Sequence, residues 1–312
     1  MASAPITTRA VLVTGARGQV GTELQRRNWP AGWEVVALDR EALDLQKPQA
    51  IAAKMAERPW AAVINAAAYT AVDKAQSDIV TAWAVNALAP AAFAEACAAK
   101  DIPMVQVSTD YVFAGNKLGA WSTEDPTHPL SVYGASKLGG ELAVRTSGVR
   151  HAIVRTAWVV SAHGNNFVKT MLRVGAERGH LRVVDDQIGS PTSAADLADA
   201  LIHIVVRLVE DREAPVGTFH FSNAGQVSWA GFAAEIFRQS GERAGATATV
   251  EPITTSEYPT PAPRPANSLL SHDALRTAFG IEPRSWQISL SAIMDELLRP
   301  AGYLSNNRKE NA

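Results

Sequence analysis

The sequence contains a single cysteine, no basic block and no long apolar run, and each absence excludes a class of protein. Cys97 has no second cysteine to pair with, which excludes an intrachain disulfide and a cysteine-rich metal site and favours a reducing, cytoplasmic compartment. Lysine and arginine number 29 against 31 acidic residues, so we expect neither nucleic acid nor an anionic membrane as a partner. No run approaches the ~18 apolar residues of a membrane span, and the first ten residues lack a signal-peptide pattern.

The 312 residues are patterned instead as an α/β protein. In the first half, short apolar runs alternate with amphipathic ones, which predicts a Rossmann-type doubly wound parallel sheet with helices on both faces. The predicted strands are 9–14, 33–38, 61–65, 103–108 and 152–158, and one long helical stretch, 77–100, is expected to divide at Pro90. We expect a Rossmann domain at 8–162, a smaller region at 163–304 with some segments returning to the sheet, and a polar tail at 305–312.

A glycine-rich run, Gly15, Gly18 and Gly21, follows the first predicted strand and opens the first helix. Glycines there let the chain turn tightly, let the backbone approach a pyrophosphate and let the helix pack on the strand, with the helix N-terminus facing the anion. The run therefore predicts a dinucleotide site. At the end of the second strand, Asp39 would bond an adenosine ribose whereas Arg40 would attract a 2′-phosphate, so NADH and NADPH both stay open.

A second group of residues has the chemistry of proton transfer. Tyr133 and Lys137 are four residues apart, hence on one face of a helix, and a nearby ammonium stabilises a phenolate and so lowers its pKa. Thr109 lies at the C-terminal end of a predicted parallel strand, where open α/β sheets bind their ligands, and its hydroxyl can bond a substrate oxygen. Because such a tyrosine can protonate the oxyanion that forms when hydride attacks a carbonyl, the set predicts a hydride-transfer site.

Further segments extend this pattern over nearly the whole chain, from about Val11 to Leu298. They are GARGQVG (15–21), NAAAYTAVDKA (65–75), VNALAP (85–90), STDYVFAG (108–115), YGASK (133–137), RTAWV (155–159), DDQIGSPT (185–192) and RPANSLL (264–270). With these segments the chain resembles the dTDP-4-dehydrorhamnose reductases, a branch of the extended short-chain dehydrogenase/reductase superfamily. The resemblance implies NADPH- or NADH-dependent reduction of the C4 keto group of dTDP-4-dehydro-β-L-rhamnose, the last step of dTDP-rhamnose synthesis for polysaccharides, with Thr109, Tyr133 and Lys137 as the catalytic set.

The resemblance also implies binding residues. Besides the glycine run and Arg40, the cofactor would be lined by residues of the first half of the chain: Gln19, Val20, Asp39, Asp44, Leu45, Ala68, Tyr69, Thr70, Tyr133 and Lys137. The dTDP-sugar would contact Thr109, Asp110, Tyr111 and Trp158, and 163–304 would form most of the sugar-nucleotide-binding region. Arg264, in a proline-rich segment, carries a guanidinium that can bind a diphosphate through two parallel bonds.

A bound metal is a further implication, and the residues argue against it. Some relatives are described as dimers tied by Mg²⁺ through carboxylates, one of which matches Glu23. The position of a partner acid falls near Ala194 and Ala195, and no cluster of histidines or acids elsewhere suggests a metal. We therefore expect no metal, an exposed side chain at Glu23, and a monomer or a homodimer.

Two alternative functions stay open, and the second belongs to a different functional class. One is another sugar-nucleotide epimerase or reductase of the same fold; a dehydratase is disfavoured because Asp110 is followed by Tyr111 and not by a carboxylate base. An epimerase keeps its cofactor bound through the cycle, whereas a reductase releases it at every turnover. The other alternative is a non-catalytic NADP-binding regulatory subunit, against which the intact Thr109, Tyr133 and Lys137 argue.

Overall fold

A six-stranded parallel sheet forms the centre of the structure, a computed structural model that describes residues 8–298. From one edge to the other the strands are β2 (Trp33–Leu38), β1 (Arg9–Thr14), β3 (Ala62–Asn65), β4 (Met104–Thr109), β5 (His151–Thr156) and β10 (Gly217–His220). The edge strand β10 comes from the C-terminal half of the chain and pairs in parallel with β5. The predicted tail, 305–312, lies outside the described residues.

Helices cover both faces of this sheet. One face carries α1 (Gln19–Arg26), α8 (Ala194–Glu210) and α10 (Asp273–Phe279), and the other carries α2 (Pro48–Ala56), α5 (Ala89–Ala99) and α6 (Val132–Thr146). Alternate side chains of β1 enter opposite cores, because successive strand residues point to opposite faces. Val11 and Val13 pack with Leu24 of α1, while Leu12 packs with Ile51 of α2. Both faces of the sheet are therefore buried, as expected of a parallel sheet.

A second core lies in the C-terminal half. It is built by α7 (Phe167–Arg178), β7 (His180–Val184), α9 (Trp229–Gly241), β12 (Thr249–Ile253) and α11 (Trp286–Leu298). Its buried side chains include Val168, Phe232, Ile236, Leu290 and Met294. The remaining short elements are α3 (Val72–Ala75) and α4 (Ile79–Trp83), which pack on α6, and the two-residue strands β6 (Val159–Val160), β8 (Ile188–Gly189), β9 (Thr192–Ser193) and β11 (Val227–Ser228).

The stretch predicted as 77–100 is one continuous helical run, Ile79–Ala99, and Pro90 does not divide it. Between α4 and α5, Ala84–Leu88 forms a π-helical turn. Pro90, which has no backbone N–H to donate, lies in the first turn of α5 directly after it, so the run continues without that hydrogen bond. By length and composition alone this run could cross a membrane, a test that the core helix of a globular protein also passes. Phe93, Ala94 and Cys97 nevertheless lie in the core beneath the sheet, which is the position of a core helix.

Candidate functional site

The glycine run forms a tight turn between β1 and α1. Gly15 has φ +77°, and a Cβ there would lie 3.1 Å from the Cα of Ala67, so the position favours glycine. At Gly21 a Cβ would lie 2.1 Å from the Gly15 carbonyl oxygen, which explains how α1 packs so closely on the turn. Gly18 begins α1 without a side-chain cap, so the first amides of the helix are left for a ligand.

Two adjoining cavities open at this turn, with volumes of about 1120 Å³ and about 380 Å³. Gly15, Asp39, Arg40 and Ala68 line both. Most of the other predicted site residues line the larger cavity: Gly18, Gln19, Val20, Thr70, Thr109, Asp110, Tyr111, Tyr133, Lys137 and Trp158. The smaller cavity is lined by Asp44, Leu45 and Tyr69. The structure therefore brings together residues that are far apart in the sequence, at the C-terminal ends of the parallel strands.

The walls of the larger cavity fit a bound cofactor. Among the described residues, Asp110 Oδ2 and Thr156 Oγ1 are buried without a hydrogen-bond partner, and both residues line this cavity. Unpaired buried polar atoms are costly, so a ligand that pairs with them is favoured. Since pockets for one small ligand span roughly 300–1,000 Å³, the larger cavity has room for a nicotinamide dinucleotide and a second ligand.

Asp39 is already engaged at the end of β2. Its Oδ1 accepts hydrogen bonds from the amides of Glu41 and Ala42, each at 3.0 Å, and its Oδ2 pairs with Arg17 Nη2 at 2.6 Å. The Ala42 amide and the Arg17 guanidinium both hold the pKa of this carboxyl below its usual range. Arg17 also pairs with Glu41 and lines the larger cavity; the sequence reading missed it, although it stands within the glycine run. Two guanidiniums, Arg17 and Arg40, thus flank the acid.

Thr109 and Tyr133 are brought together by the close approach of α6 to the turn after β4. A Cβ at Gly134 would lie 2.2 Å from the Tyr111 carbonyl oxygen, so only glycine permits this approach. Ser131 caps the helix by accepting a hydrogen bond from the Gly134 amide at 3.2 Å. The Thr109 hydroxyl donates to Asp110 Oδ1 at 3.0 Å.

The titration of Tyr133 differs from the expectation. Burial raises the pKa of Tyr133 to about 12, with the Thr109 hydroxyl acting in the opposite direction, whereas the sequence predicted a pKa lowered by Lys137. Burial of the phenol is the larger influence, and the Lys137 ammonium donates one of its hydrogens to the Val107 carbonyl oxygen at 2.7 Å. Burial lowers the pKa of Lys137 to about 8 and raises that of Asp110 to about 6. At neutral pH the site therefore presents a neutral phenol beside a charged ammonium.

An aromatic stack forms another wall of the larger cavity. Strand β5 ends at Thr156, not at Trp158 as predicted, because Trp158 adopts the left-handed conformation with φ +50°. Such a backbone is uncommon for a bulky side chain and clusters at functional sites. The Trp158 ring stacks on Trp229 with ring centroids 3.5 Å apart, and a Cβ at Gly189 would meet the Trp158 ring at 2.6 Å. No local pattern predicted a role for Trp229, which lies more than seventy residues from Trp158.

Arg264 lines neither cavity. Its Nη2 pairs with Asp73 Oδ2 at 2.8 Å, and its Nη1 donates to the Ala262 carbonyl oxygen at 2.9 Å. The guanidinium predicted to bind a diphosphate is thus engaged with a carboxylate of α3.

Glu23 is buried, contrary to the exposed side chain that was expected, with 4% of its surface accessible. Its carboxylate pairs with Arg26 at 3.4 Å and with Arg27 at 3.3 Å. Glu23, His163 and Glu296 offer ligand atoms within 4.8 Å of one another, a cluster that the sequence reading missed because its members are far apart in the chain.

The residues around Glu23 do not fit Mg²⁺. The Arg26 guanidinium contacts His163 and pairs with Glu296 at 2.8 Å as well as with Glu23, so a fixed cation already serves both carboxylates. Ala195, where the resemblance places the partner acid, lines the cavity beside Glu23 and has no ligand atom. Mg²⁺ prefers near-octahedral oxygen ligands, which this basic cluster does not supply.

Comparison with known proteins shows which family the chain is similar to. The family model described as the RmlD substrate binding domain matches residues 9–299. A curated dTDP-4-dehydrorhamnose reductase of Burkholderia thailandensis is 43% identical over 295 residues, covering 92% of this chain and 99% of the relative.

Solved structures give the same result. The crystal structure of a dTDP-4-dehydrorhamnose reductase from Clostridium acetobutylicum superposes with a TM-score of 0.85 at 39% identity, covering 92% of this chain and 99% of that one. The structure of a dTDP-4-dehydrorhamnose reductase from Bacillus anthracis in complex with NADP superposes with a TM-score of 0.86 at 35% identity, covering 93% of this chain and 99% of that one.

Proposed function

Because the chain belongs to the dTDP-4-dehydrorhamnose reductase family, we propose that it reduces the C4 keto group of dTDP-4-dehydro-β-L-rhamnose to give dTDP-β-L-rhamnose, with NADPH or NADH as the reductant. The observation that carries the proposal is the convergence of Thr109, Tyr133 and Lys137 on the cavity that opens at the glycine turn. The lone, buried Cys97 supports a cytoplasmic location, and we propose a monomer or a homodimer as the active form.

In this proposal the cofactor extends from the smaller cavity, past the glycine turn, into the larger one. The amides of the turn from Gly15 to Gly21 take the pyrophosphate, and Asp44, Leu45 and Tyr69 line the smaller cavity, where the adenosine end fits. Lys137 holds the nicotinamide ribose at the other end. When bound, the reduced nicotinamide supplies the hydride.

Tyr133 supplies the proton. Its high pKa keeps the phenol protonated at neutral pH, which is the form that can donate to the oxygen of a carbonyl as negative charge develops there. Thr109 orients the same oxygen: its hydroxyl has one proton, given to Asp110 Oδ1 in the structure, and it turns to donate that proton to the substrate oxygen. The Lys137 ammonium stabilises the phenolate that remains, since an opposite charge at close range favours the charged form.

The substrate occupies the part of the larger cavity bounded by Asp110, Tyr111 and Trp158, with the stacked rings of Trp158 and Trp229 as a flat apolar surface for a sugar or a base. The two stacked rings restrict each other, so this surface is formed before the ligand arrives. A preformed surface lowers the entropic cost of binding.

A reconstituted assay tests the proposed function. The product of the dehydratase and 3,5-epimerase acting on dTDP-glucose is supplied, oxidation of NADPH and of NADH is followed, and the product is identified by mass spectrometry as reduced by two hydrogens. Stoichiometric oxidation supports the reductase. Epimerisation without net oxidation, with nicotinamide retained by the purified protein, would instead support an epimerase; tight NADPH binding without any turnover would support a regulatory subunit.

A further inference from the structure

A buried cluster of charges lies one helical turn beyond Lys137, at Glu141 of α6. Glu141 is fully buried, with 0% of its surface exposed, and it accepts a hydrogen bond from the Ser108 hydroxyl at 2.6 Å. The Arg155 guanidinium donates to both carboxylate oxygens, from Nε at 2.9 Å and from Nη2 at 2.7 Å, and is itself 1% exposed. Arg145, one third exposed, adds a bond from Nη2 at 2.7 Å. A buried carboxylate with this many donors is fixed in place.

The cluster joins three elements of the proposed site. Ser108 and Arg155 are paired neighbours on β4 and β5, so the Glu141 carboxylate ties both strands to α6. Ser108 lies between Val107, whose carbonyl accepts from the Lys137 ammonium at 2.7 Å, and Thr109. Glu141 therefore holds the strand end that carries Thr109 against the helix that carries Tyr133 and Lys137.

The cluster also sets the charge balance around Lys137. Tyr133 and Glu141 lie one helical turn from Lys137, on either side of it along α6. Asp110 and Tyr111 lie in the turn after β4, close to Tyr133. Arg145 and Arg155 pair with Glu141, and His220 of β10 contacts Arg155. Burial lowers the pKa of Lys137, and the negative charge of Glu141 raises it. Burial also lowers the pKa of His220 to about 3, so this ring is neutral near pH 7.

We propose that Glu141 is a positioning residue for the reaction, whose buried carboxylate fixes the end of β4 against α6 and places a negative charge one helical turn from Lys137. The inference rests on the proposed roles of Lys137, Tyr133 and Thr109. It goes beyond them because Glu141 and Arg155 line neither cavity and act only through their neighbours. Arg145 opposes the effect of Glu141 on Lys137, because it pairs with the same carboxylate and its positive charge disfavours a charged ammonium at Lys137.

Two substitutions that change the charge near Lys137 in opposite directions test the effect of Glu141 on that side chain. Glu141→Gln keeps the shape and removes the negative charge, so the alkaline limb of the pH profile of kcat moves to lower pH, by about 1 unit. Arg145→Gln removes a positive charge, so the limb moves to higher pH. Arg207→Gln is the matched control, because Arg207 also pairs with an acid four residues along its helix, Asp211, at 3.0 Å and lies on the exposed side of α8. This control leaves the limb where it is.

A third substitution tests whether Glu141 holds the end of β4 against α6, separately from its charge. Ser108→Ala removes the 2.6 Å bond to Glu141 without changing any charge. We expect it to lower kcat several-fold while the alkaline limb stays at the wild-type pH. A change in KM alone would contradict the idea that Glu141 fixes the strand end.

Direct titration separates this inference from the proposed function. In protein labelled with ¹³C at the lysine Cε, the Lys137 signal, assigned by its absence from Lys137→Arg, titrates at lower pH in Glu141→Gln and at higher pH in Arg145→Gln. This readout needs no substrate, so it tests Glu141 even if the wild-type protein reduces no sugar. If Glu141→Gln fails to fold because Arg155 is left unpaired, Arg145→Gln decides alone. A Lys137 titration that moves in neither variant, or moves in the same direction in both, overturns the proposal.

Discussion

Arg40 offers the sharpest test of how the cofactor is chosen. The side chain is exposed, lines both cavities and takes part in no ion pair within residues 8–298. Both oxygens of the neighbouring Asp39 are bonded to backbone amides or to Arg17, so the acid is poorly placed to accept a ribose hydroxyl. We therefore expect NADPH to bind more tightly than NADH, with the 2′-phosphate near Arg40.

Arg40→Ala should weaken NADPH selectively. A hydrogen bond between a guanidinium and a phosphate contributes roughly 1.5–3 kcal/mol, and solvent screening at an exposed site favours the lower end. At about 1.4 kcal/mol for each factor of ten, the Kd of NADPH should rise about 10- to 100-fold while that of NADH barely changes. Titration of the protein fluorescence with each nucleotide measures both constants, and Arg178→Ala, an exposed arginine at the end of α7, is the matched control.

A second substitution sharpens the comparison. Arg17→Ala frees Asp39 Oδ2 from its 2.6 Å ion pair, so the carboxylate can accept a ribose hydroxyl and repel a 2′-phosphate. The ratio of the NADH and NADPH affinities should then move further toward NADH than in Arg40→Ala. Equal losses of both nucleotides in the two variants would refute the reasoning, because they would place both arginines away from the 2′ position.

Three further predictions concern the reaction and the metal. Tyr133→Phe removes the proton donor and should lower kcat by ~10²–10⁴ with the nucleotide Kd unchanged; near-full turnover would contradict the proposed acid. Lys137 is charged below its pKa of about 8, so kcat should be constant at lower pH and fall as the pH rises through 8; a flat profile to pH 10 would contradict its role. EDTA should change neither activity nor the mass measured by light scattering, whereas a metal-dependent dissociation would show that Glu23 and Glu296 bind a cation after all.

Local patterns were sufficient to predict the central part of the fold. The first two strands have the predicted bounds, because each is a short, mainly apolar run bounded by turn residues, whether it is buried like β1 or partly buried at the edge of the sheet like β2. The glycine run and the spacing of Tyr133 and Lys137 are likewise short-range signals, and the structure places both at the larger cavity. These features need only the geometry of one strand, one turn or one helix.

The features that the sequence did not predict depend on contacts between distant segments. The ion pair of Arg17 with Asp39 joins two βα turns, and Trp229 reaches Trp158 from another element. The burial of Glu23 depends on residues of α11 and of the loop after β6. A helical pattern marks which face is apolar, but it cannot show which distant side chain covers a polar position on that face.

The protonation states of Tyr133 and Lys137 show how one environment can support both halves of the proposed step. Burial disfavours charge on either group, so it keeps the Tyr133 phenol protonated and makes the Lys137 ammonium lose its proton more easily. A phenolate formed in such a place would be costly unless a positive charge stood near it. The Lys137 side chain supplies that positive charge only while it is protonated. The buried carboxylate of Glu141 is the neighbouring group that favours the protonated form. The negative charge of Glu141 one turn away therefore favours the protonated ammonium, whereas Arg155 and Arg145, which pair with the same carboxylate, weaken that effect.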